Sequence, residues 1–167
     1  MYKIGEFIVY GNEGVCRVDD ISELSIGGSS KGKTYYTLKP MHNNGTVFSP
    51  IDTTVFMRPI VSYEEVHKLI EQIPSIKEID HDKKSVREWQ EYYKKLIKNH
   101  DCMDLLTVMI TLKDKKKIAS SNGKKLSQMD DKFMRAAKNL IEAEFSIVLG
   151  IEKQDVELYI DNSLKNM

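Results

Sequence analysis

The chain has 167 residues, of which 41% are hydrophobic and 30% charged, and its formal net charge is zero. This length accommodates one domain of common size or two small ones, and the composition permits a buried core with a polar surface. The sequence shows no apolar run near the roughly 18–20 residues that cross a bilayer and no apolar signal-peptide stretch, so we expect a cytoplasmic location.

Residues 1–60 are predicted to form a small β domain. Short runs of β-forming residues alternate with turn signals, and Asn43-Asn44-Gly45 is a strong signal of this kind. The predicted strands lie at residues 4–10, 15–21, 34–39 and 46–49, with a polar hairpin tip at 27–33. Several short strands at this spacing favour a strongly bent sheet or an SH3-like barrel.

After Pro59 the hydrophobic period becomes helical. Ser62 with Glu65 and Ser85 with Glu88 form capping-box patterns, in which the two side chains satisfy free N–H groups at a helix start. Further helices are predicted to start at Asp101, Ser127 and about Lys153, with ends marked by Pro74, Asn99, the loop 120–123, Gly150 and Leu164. The prediction is an α+β protein, with a β domain over 1–60 and a bundle of four or five helices over 61–167.

Charge is distributed unevenly along the helical half. Within residues 113–138 nine basic residues oppose three aspartates, which leaves +6, whereas two lysines oppose six carboxylates from residue 139 onward, which leaves −4. Phosphate contact responds to such a local excess rather than to the average charge. The basic residues are Lys113, Lys115, Lys116, Lys117, Lys124, Lys125, Lys132, Arg135 and Lys138.

The lysines at 113–117 follow an apolar helix and have more than one interpretation. Cations favour the negative end of a helix dipole, but one or two lysines satisfy that role. The larger number leaves phosphate-backbone binding and a plain solvated face as open alternatives. No segment has the Arg, Asn or Gln pattern of a base-reading helix, so sequence-specific DNA recognition is not predicted.

Trp89 is the only tryptophan and stands near the start of a predicted helix. At helical spacing it shares a face with Val86, Tyr93, Leu96 and Ile97. This pattern is typical of a core residue. An apolar side chain presented at a helix end among cations also suits insertion between stacked bases. The residues alone leave both interpretations open.

Enzyme motifs are not found in the sequence. The four histidines form no metal-ligand spacing with Cys16 and Cys102, and the glycines and lysines at 27–33 lack the phosphate-loop spacing. No strand-turn-helix pattern carries a nucleophile. We therefore expect a protein that is not an enzyme and holds no cofactor or metal, with two reduced and buried cysteines.

Several segments together resemble a known family. They are residues 4–10, Glu13-Gly14-Val15, Tyr35-Tyr36-Thr37-Leu38 and Ser49-Pro50, then the lone tryptophan with Tyr93 and Lys94, and Leu126-Ser127 before a long helix. In this order they resemble the CarD/CdnL transcription regulators, whose N-terminal domain is related to one in transcription-repair coupling factors. The resemblance spans essentially the whole chain.

The resemblance implies a Tudor-like N-terminal domain that binds the β subunit of bacterial RNA polymerase, largely by strand-to-strand pairing. The implied polymerase-contacting residues are Leu24, Ile26 and Phe48. Relatives carry arginines at the positions of Leu24 and Phe48, so we expect a more apolar contact here.

The resemblance also implies that the helical domain contacts promoter DNA at the upstream edge of the transcription bubble. There Trp89 would wedge against the minor groove while cations hold the backbone. The predicted DNA-contacting residues are Trp89, Lys94, Lys113, Lys115, Lys116, Lys117, Lys124 and Lys125. Basic residues of relatives correspond to Glu91 and Tyr92, so DNA affinity is expected to depend more on residues 113–138.

The function implied is stabilisation of the open promoter complex, because a protein that binds melted DNA better than closed DNA shifts the population toward it. The alternative is a polymerase-bound adaptor whose helical domain recruits another protein instead of DNA. We expect a monomer that is associated with the nucleoid through RNA polymerase and makes no membrane contact.

Overall fold

The structure, a computed structural model, describes residues 1–25, 32–76 and 83–167. The chain divides into two units, Met1–Val61 and Ser62–Met167. The first unit is built from strands and the second from helices, so the predicted α+β class is confirmed. In the described ranges, no helix combines the length and the apolar character needed to span a membrane.

One antiparallel sheet organises the first unit. Its strands are β1 Phe7–Tyr10, β2 Gly14–Glu23, β3 Thr34–Pro40, β4 Val47–Pro50 and β5 Met57–Pro59. Their order is β4-β3-β2-β1-β5, so β4 and β5 form the two edges. β5 is absent from the sequence-based prediction because a run of 3 residues shows no alternation. The hairpin tip predicted at 27–33 lies largely outside the described residues.

One face of this sheet forms the core of the unit. Val18 lies opposite Leu38, and residues paired across antiparallel strands point to the same face. A register shift between Val18 and Asp20 increases the local twist, as a β-bulge does, and so bends the sheet around its core. The core side chains are Ile8, Cys16, Val18, Tyr36 and Leu38.

Five α-helices form the described part of the second unit. They are α1 Tyr63–Gln72, α2 Val86–Lys98, α3 Cys102–Ser121, α4 Gln128–Leu149 and α5 Val156–Lys165. Both predicted capping boxes are confirmed, because Ser62 and Ser85 exchange hydrogen bonds with Glu65 and Glu88 respectively. The predicted stop of α4 is confirmed as well, because Gly150 follows it with a φ of 66°.

α3 is longer than the sequence predicts. It continues to Ser121, so the prediction that a loop begins at Ser120 is wrong, and the lysines at 113–117 lie inside the helix. Lysine and alanine are good helix formers, which allows α3 to extend past its apolar part. No basic residue lies in the last turn of α3. The interpretation of these lysines as a cap of the helix dipole is therefore wrong.

Candidate functional site

β4 presents an edge of the sheet together with an exposed aromatic side chain. In the described part of the chain β4 pairs only with β3, which leaves the backbone groups of its other side without a strand partner. Phe48 is 50% exposed, whereas the next residue, Ser49, is buried. Successive side chains of a strand point to opposite faces, so Phe48 lies on the outer face. We call Phe48 and the open side of β4 the edge-strand surface.

The three residues predicted to contact polymerase have different surroundings. Phe48 is part of the edge-strand surface. Leu24 follows the last residue of β2 and is half-buried. Ile26 lies outside the described residues. The structure therefore shows an exposed apolar side chain at Phe48 and a half-buried one at Leu24.

Trp89 lies in an aromatic cluster of the helical unit, which we define as Trp89, Tyr92, Tyr93 and Phe133. The indole stacks on Tyr93 with ring centroids 5.5 Å apart and planes inclined by 22°. Tyr93 is in turn 5.7 Å from Phe133 of α4. Trp89 is 3% exposed and Tyr93 is fully buried, which confirms the prediction from periodicity that Trp89 is a core residue. Val86, predicted on the same face, is instead 73% exposed at the first position of α2.

Lys84 lies at the rim of the aromatic cluster. Its Nζ is 5.0 Å from the centroid of the Trp89 ring and 4.6 Å from that of Tyr92. A cation over an aromatic face contributes about 0.5–1 kcal/mol at an exposed position. A wedge needs an exposed apolar edge. The DNA contact of Trp89 thus stays a prediction, and it requires the ring to leave this cluster.

Lys115 is held in a largely buried ion pair. Its Nζ lies 2.5 Å from Oδ2 of Asp130, whose side chain is 2% exposed. Oδ1 of Asp130 and the hydroxyl of Tyr93 have no hydrogen-bond partner among the described residues. Burial raises the pKa of Tyr93, and the charge of Asp130 raises it further. Asp130 is thus a buried carboxylate that depends on Lys115, and a phosphate contact by Lys115 would leave it uncompensated.

Lys113 and Lys138 are paired with carboxylates of the acidic C-terminal part. Glu157 lies 3.0 Å from Nζ of Lys113 and 2.5 Å from Nζ of Lys138. The hydrogen bond from Lys138 is the main cause that lowers the pKa of Glu157. Asp161 and Glu142 add contacts of 3.5 Å to Lys113 and 3.7 Å to Lys138. With these three carboxylates included, nine cations oppose six acids, so the local charge falls from +6 to +3.

Four predicted DNA-contacting lysines between residues 116 and 125 are exposed and keep their charge uncompensated. They are Lys116, Lys117, Lys124 and Lys125, which we call the free lysines. No ion pair in the described part of the chain involves them. The first two lie on the last turns of α3 and the other two in the loop that follows it. Lys94 is likewise exposed, on α2.

Residues 2–61 match the family model described as the CarD-like/TRCF RID domain. The matched residues are those of the five-stranded sheet, so the N-terminal unit is similar to a CarD-like/TRCF RID domain. The match ends where the helical unit begins. No curated protein matches the chain.

Replacement of Trp89 by alanine is expected to destabilise the helical unit by about 3–5 kcal/mol, because it opens a cavity beside Tyr93. Chemical denaturation followed by circular dichroism measures this loss. Trp89→Phe should recover part of it, and Val86→Ala, at an exposed position of the same helix, should stay within about 0.5 kcal/mol of the parent chain. An unfolding midpoint of Trp89→Ala equal to that of the parent would show that the indole does not support the core.

Lys115→Met is expected to destabilise the fold by about 2 kcal/mol, because it keeps the aliphatic stem but leaves the Asp130 carboxylate buried without its cation. Lys117→Met is the matched control, since that lysine is exposed and outside any described ion pair. The double variant Lys115→Met/Asp130→Asn should recover much of the loss. Equal unfolding midpoints for Lys115→Met and Lys117→Met would contradict the structural role of this pair.

Proposed function

We propose that this chain, which carries a CarD-like/TRCF RID domain at its N-terminus, is a transcription regulator that binds bacterial RNA polymerase and promoter DNA. An RID domain is an RNA polymerase-interacting domain, and CarD-like members bind the β subunit without an enzymatic activity. The observation that carries the proposal is the match over residues 2–61. The protein would then act in the cytoplasm, at the nucleoid, through the polymerase.

The edge-strand surface is the proposed contact with the β subunit. A strand of the partner that pairs with β4 would satisfy its open backbone groups, so main-chain hydrogen bonds supply the affinity. The exposed ring of Phe48 would supply specificity, because buried aromatic side chains dominate the energy of many interfaces. Leu24 and Ile26 are proposed to extend this contact with further apolar side chains.

The free lysines, together with Lys94, are the proposed contact with the DNA backbone at the upstream edge of the bubble. Phosphate contacts hold a protein on DNA without reading its sequence. Lys113 and Lys115 are already paired with carboxylates, so we assign them a smaller share than the resemblance implies. Binding that favours the melted DNA by about 1.4 kcal/mol raises the fraction of open complex tenfold.

The wedge by Trp89 is a further step of this proposal and has its own energetic cost. Exposing the indole removes its packing on Tyr93, which costs several kcal/mol. Minor-groove contacts in the open complex must offset that cost. We therefore propose that the free lysines bind first and that the wedge forms only in the complex with polymerase.

An adaptor is the second candidate function. In it the N-terminal unit binds polymerase, while the helical unit recruits another protein instead of DNA. The observation that favours it is the pairing of Lys113 and Lys138 with Glu142, Glu157 and Asp161, because adding these three carboxylates halves the net local charge from +6 to +3.

Phe48→Ala is expected to weaken binding to the purified lobe of the β subunit about tenfold, the effect of losing one aromatic anchor. Isothermal titration calorimetry measures the affinity. Ile4→Ala is the control, because Ile4 is 62% exposed in the same unit but precedes the sheet. An unchanged affinity of Phe48→Ala would exclude the edge-strand surface as the main contact.

Lys124→Glu/Lys125→Glu is expected to weaken binding to a bubble-containing duplex and to lower the slope of log affinity against log salt, by about one per lost phosphate contact. Fluorescence anisotropy over a salt series measures both effects. With polymerase present, the open-complex lifetime should fall toward its value without the protein. Lys68→Glu/Lys165→Glu, at two other exposed lysines of the helical unit, is the control. Equal slopes and lifetimes for both variants would reject the DNA contact.

A further inference from the structure

A groove with a volume of about 520 Å³ lies between α3, α4 and α5. Its residues on α3 recur at helical spacing and therefore line one face of that helix. Met134 and Lys138, one turn apart on α4, form the opposite wall, and Glu157 of α5 completes it. We call this site the lysine groove; its residues on α3 are Met109, Lys113, Lys116, Lys117 and Ser120.

The lysine groove combines an apolar floor with a cationic rim. Met109 is buried and Met134 is half-buried, and methionine side chains adapt to ligands of different shape. The lysine stems are aliphatic, so they extend the apolar walls while their ammonium groups stand at the rim. A ligand that fits must therefore have an apolar body and an anionic edge.

Glu157 organises the two walls of this groove. It holds Nζ of Lys113 on α3 at 3.0 Å and Nζ of Lys138 on α4 at 2.5 Å, which fixes two long side chains in place. Less conformational entropy is then lost when a ligand binds. The charges of these two lysines are compensated, whereas Lys116 and Lys117 take part in no ion pair of the described part of the chain. The cations that remain for a ligand are therefore Lys116 and Lys117.

The length of the groove indicates a peptide rather than a compact molecule. From Met109 to Ser120 the axis of α3 rises about 16 Å, which corresponds to about three turns of a partner helix. A DNA backbone presents charge but no apolar side chain, so it would leave the methionine floor uncovered. An amphipathic helix presents both chemistries along one face.

We propose that the lysine groove binds an acidic amphipathic helix of a partner protein. An apolar side chain of that helix packs between Met109 and Met134, and its carboxylates pair with Lys116 and Lys117. This inference goes beyond the polymerase and DNA contacts and does not depend on either. It has a regulatory consequence, because a helix in the groove occupies two of the free lysines and competes with DNA for them.

The test uses the full chain alone, without DNA or polymerase. The probe is a fluorescein-labelled peptide of about 16 residues, with leucine at every third or fourth position and glutamate on the remaining face. At about 0.15 M salt, where exposed charges more than about 8 Å apart are largely screened, saturable binding is expected by anisotropy. Lys116→Ser/Lys117→Ser should weaken it about tenfold or more, whereas the matched variant Lys124→Ser/Lys125→Ser should leave it unchanged.

Two further measurements distinguish binding in the lysine groove from general attraction between charges. A peptide with the same glutamates but serine in place of leucine should bind about tenfold more weakly or not at all. The leucine peptide should also bind about tenfold more weakly, or not at all, to the Met134→Gln variant. Equal binding of both peptides, or an equal loss in the two double variants, would overturn the proposal in favour of non-specific electrostatics. A chain that binds a short duplex but shows no saturable binding of the leucine peptide would also overturn it, while leaving the DNA contact intact.

Discussion

The pairing of basic residues with carboxylates from α4 and α5 limits the positive charge that the helical unit presents to a ligand. Asp130 is buried and holds Lys115, and Glu157 holds Lys113 and Lys138. Leaving the Asp130 carboxylate buried without its cation is expected to cost about 2 kcal/mol, so Lys115 stabilises the fold even without a ligand. Exposed and unpaired charge remains on the free lysines, near the end of α3 and in the loop after it. The two pairs of Glu157 also shape the lysine groove, because they hold the aliphatic stems of Lys113 and Lys138 in its walls.

Local features of this protein could be predicted from the sequence, whereas contacts between residues far apart along the chain could not. Ser85 and Glu88 predicted a helix start because both capping partners lie within one turn. The helical spacing of Trp89 and Tyr93 predicted a buried face for the same reason. The contact of Lys113 with Glu157 joins residues that lie far apart along the chain, so a charge count along the sequence assigned them to separate blocks of opposite sign. The sequence does not predict the lysine groove either, because its walls come from three different helices. It predicts only that Met109 and Lys113 share one face of a helix.

The open edge of the sheet is the part of the N-terminal unit that we propose binds the partner. An open edge strand invites pairing with other chains, and proteins commonly protect such edges with charges, prolines or bulges. β4 ends at Pro50, which limits pairing at that end, but it presents the apolar ring of Phe48 at its centre. This combination suits a regulated contact with one partner strand better than a surface that only avoids aggregation. It also agrees with the match of this unit to the CarD-like/TRCF RID domain model.

Because Trp89 is buried in the aromatic cluster, the proposed wedge is expected to form after the phosphate contacts and not before them. A ring that packs on Tyr93 and lies beneath Lys84 cannot supply the initial affinity, because its release costs more than a first contact returns. The free lysines carry no such cost, so phosphate contacts can form first and raise the local concentration of the duplex near α2 and α3. In the proposed complex, binding to polymerase would add to this effect by holding the helical unit close to the bubble. A partner helix in the lysine groove would act at the first of these steps, since it removes Lys116 and Lys117 from the backbone before any rearrangement of the aromatic cluster is required.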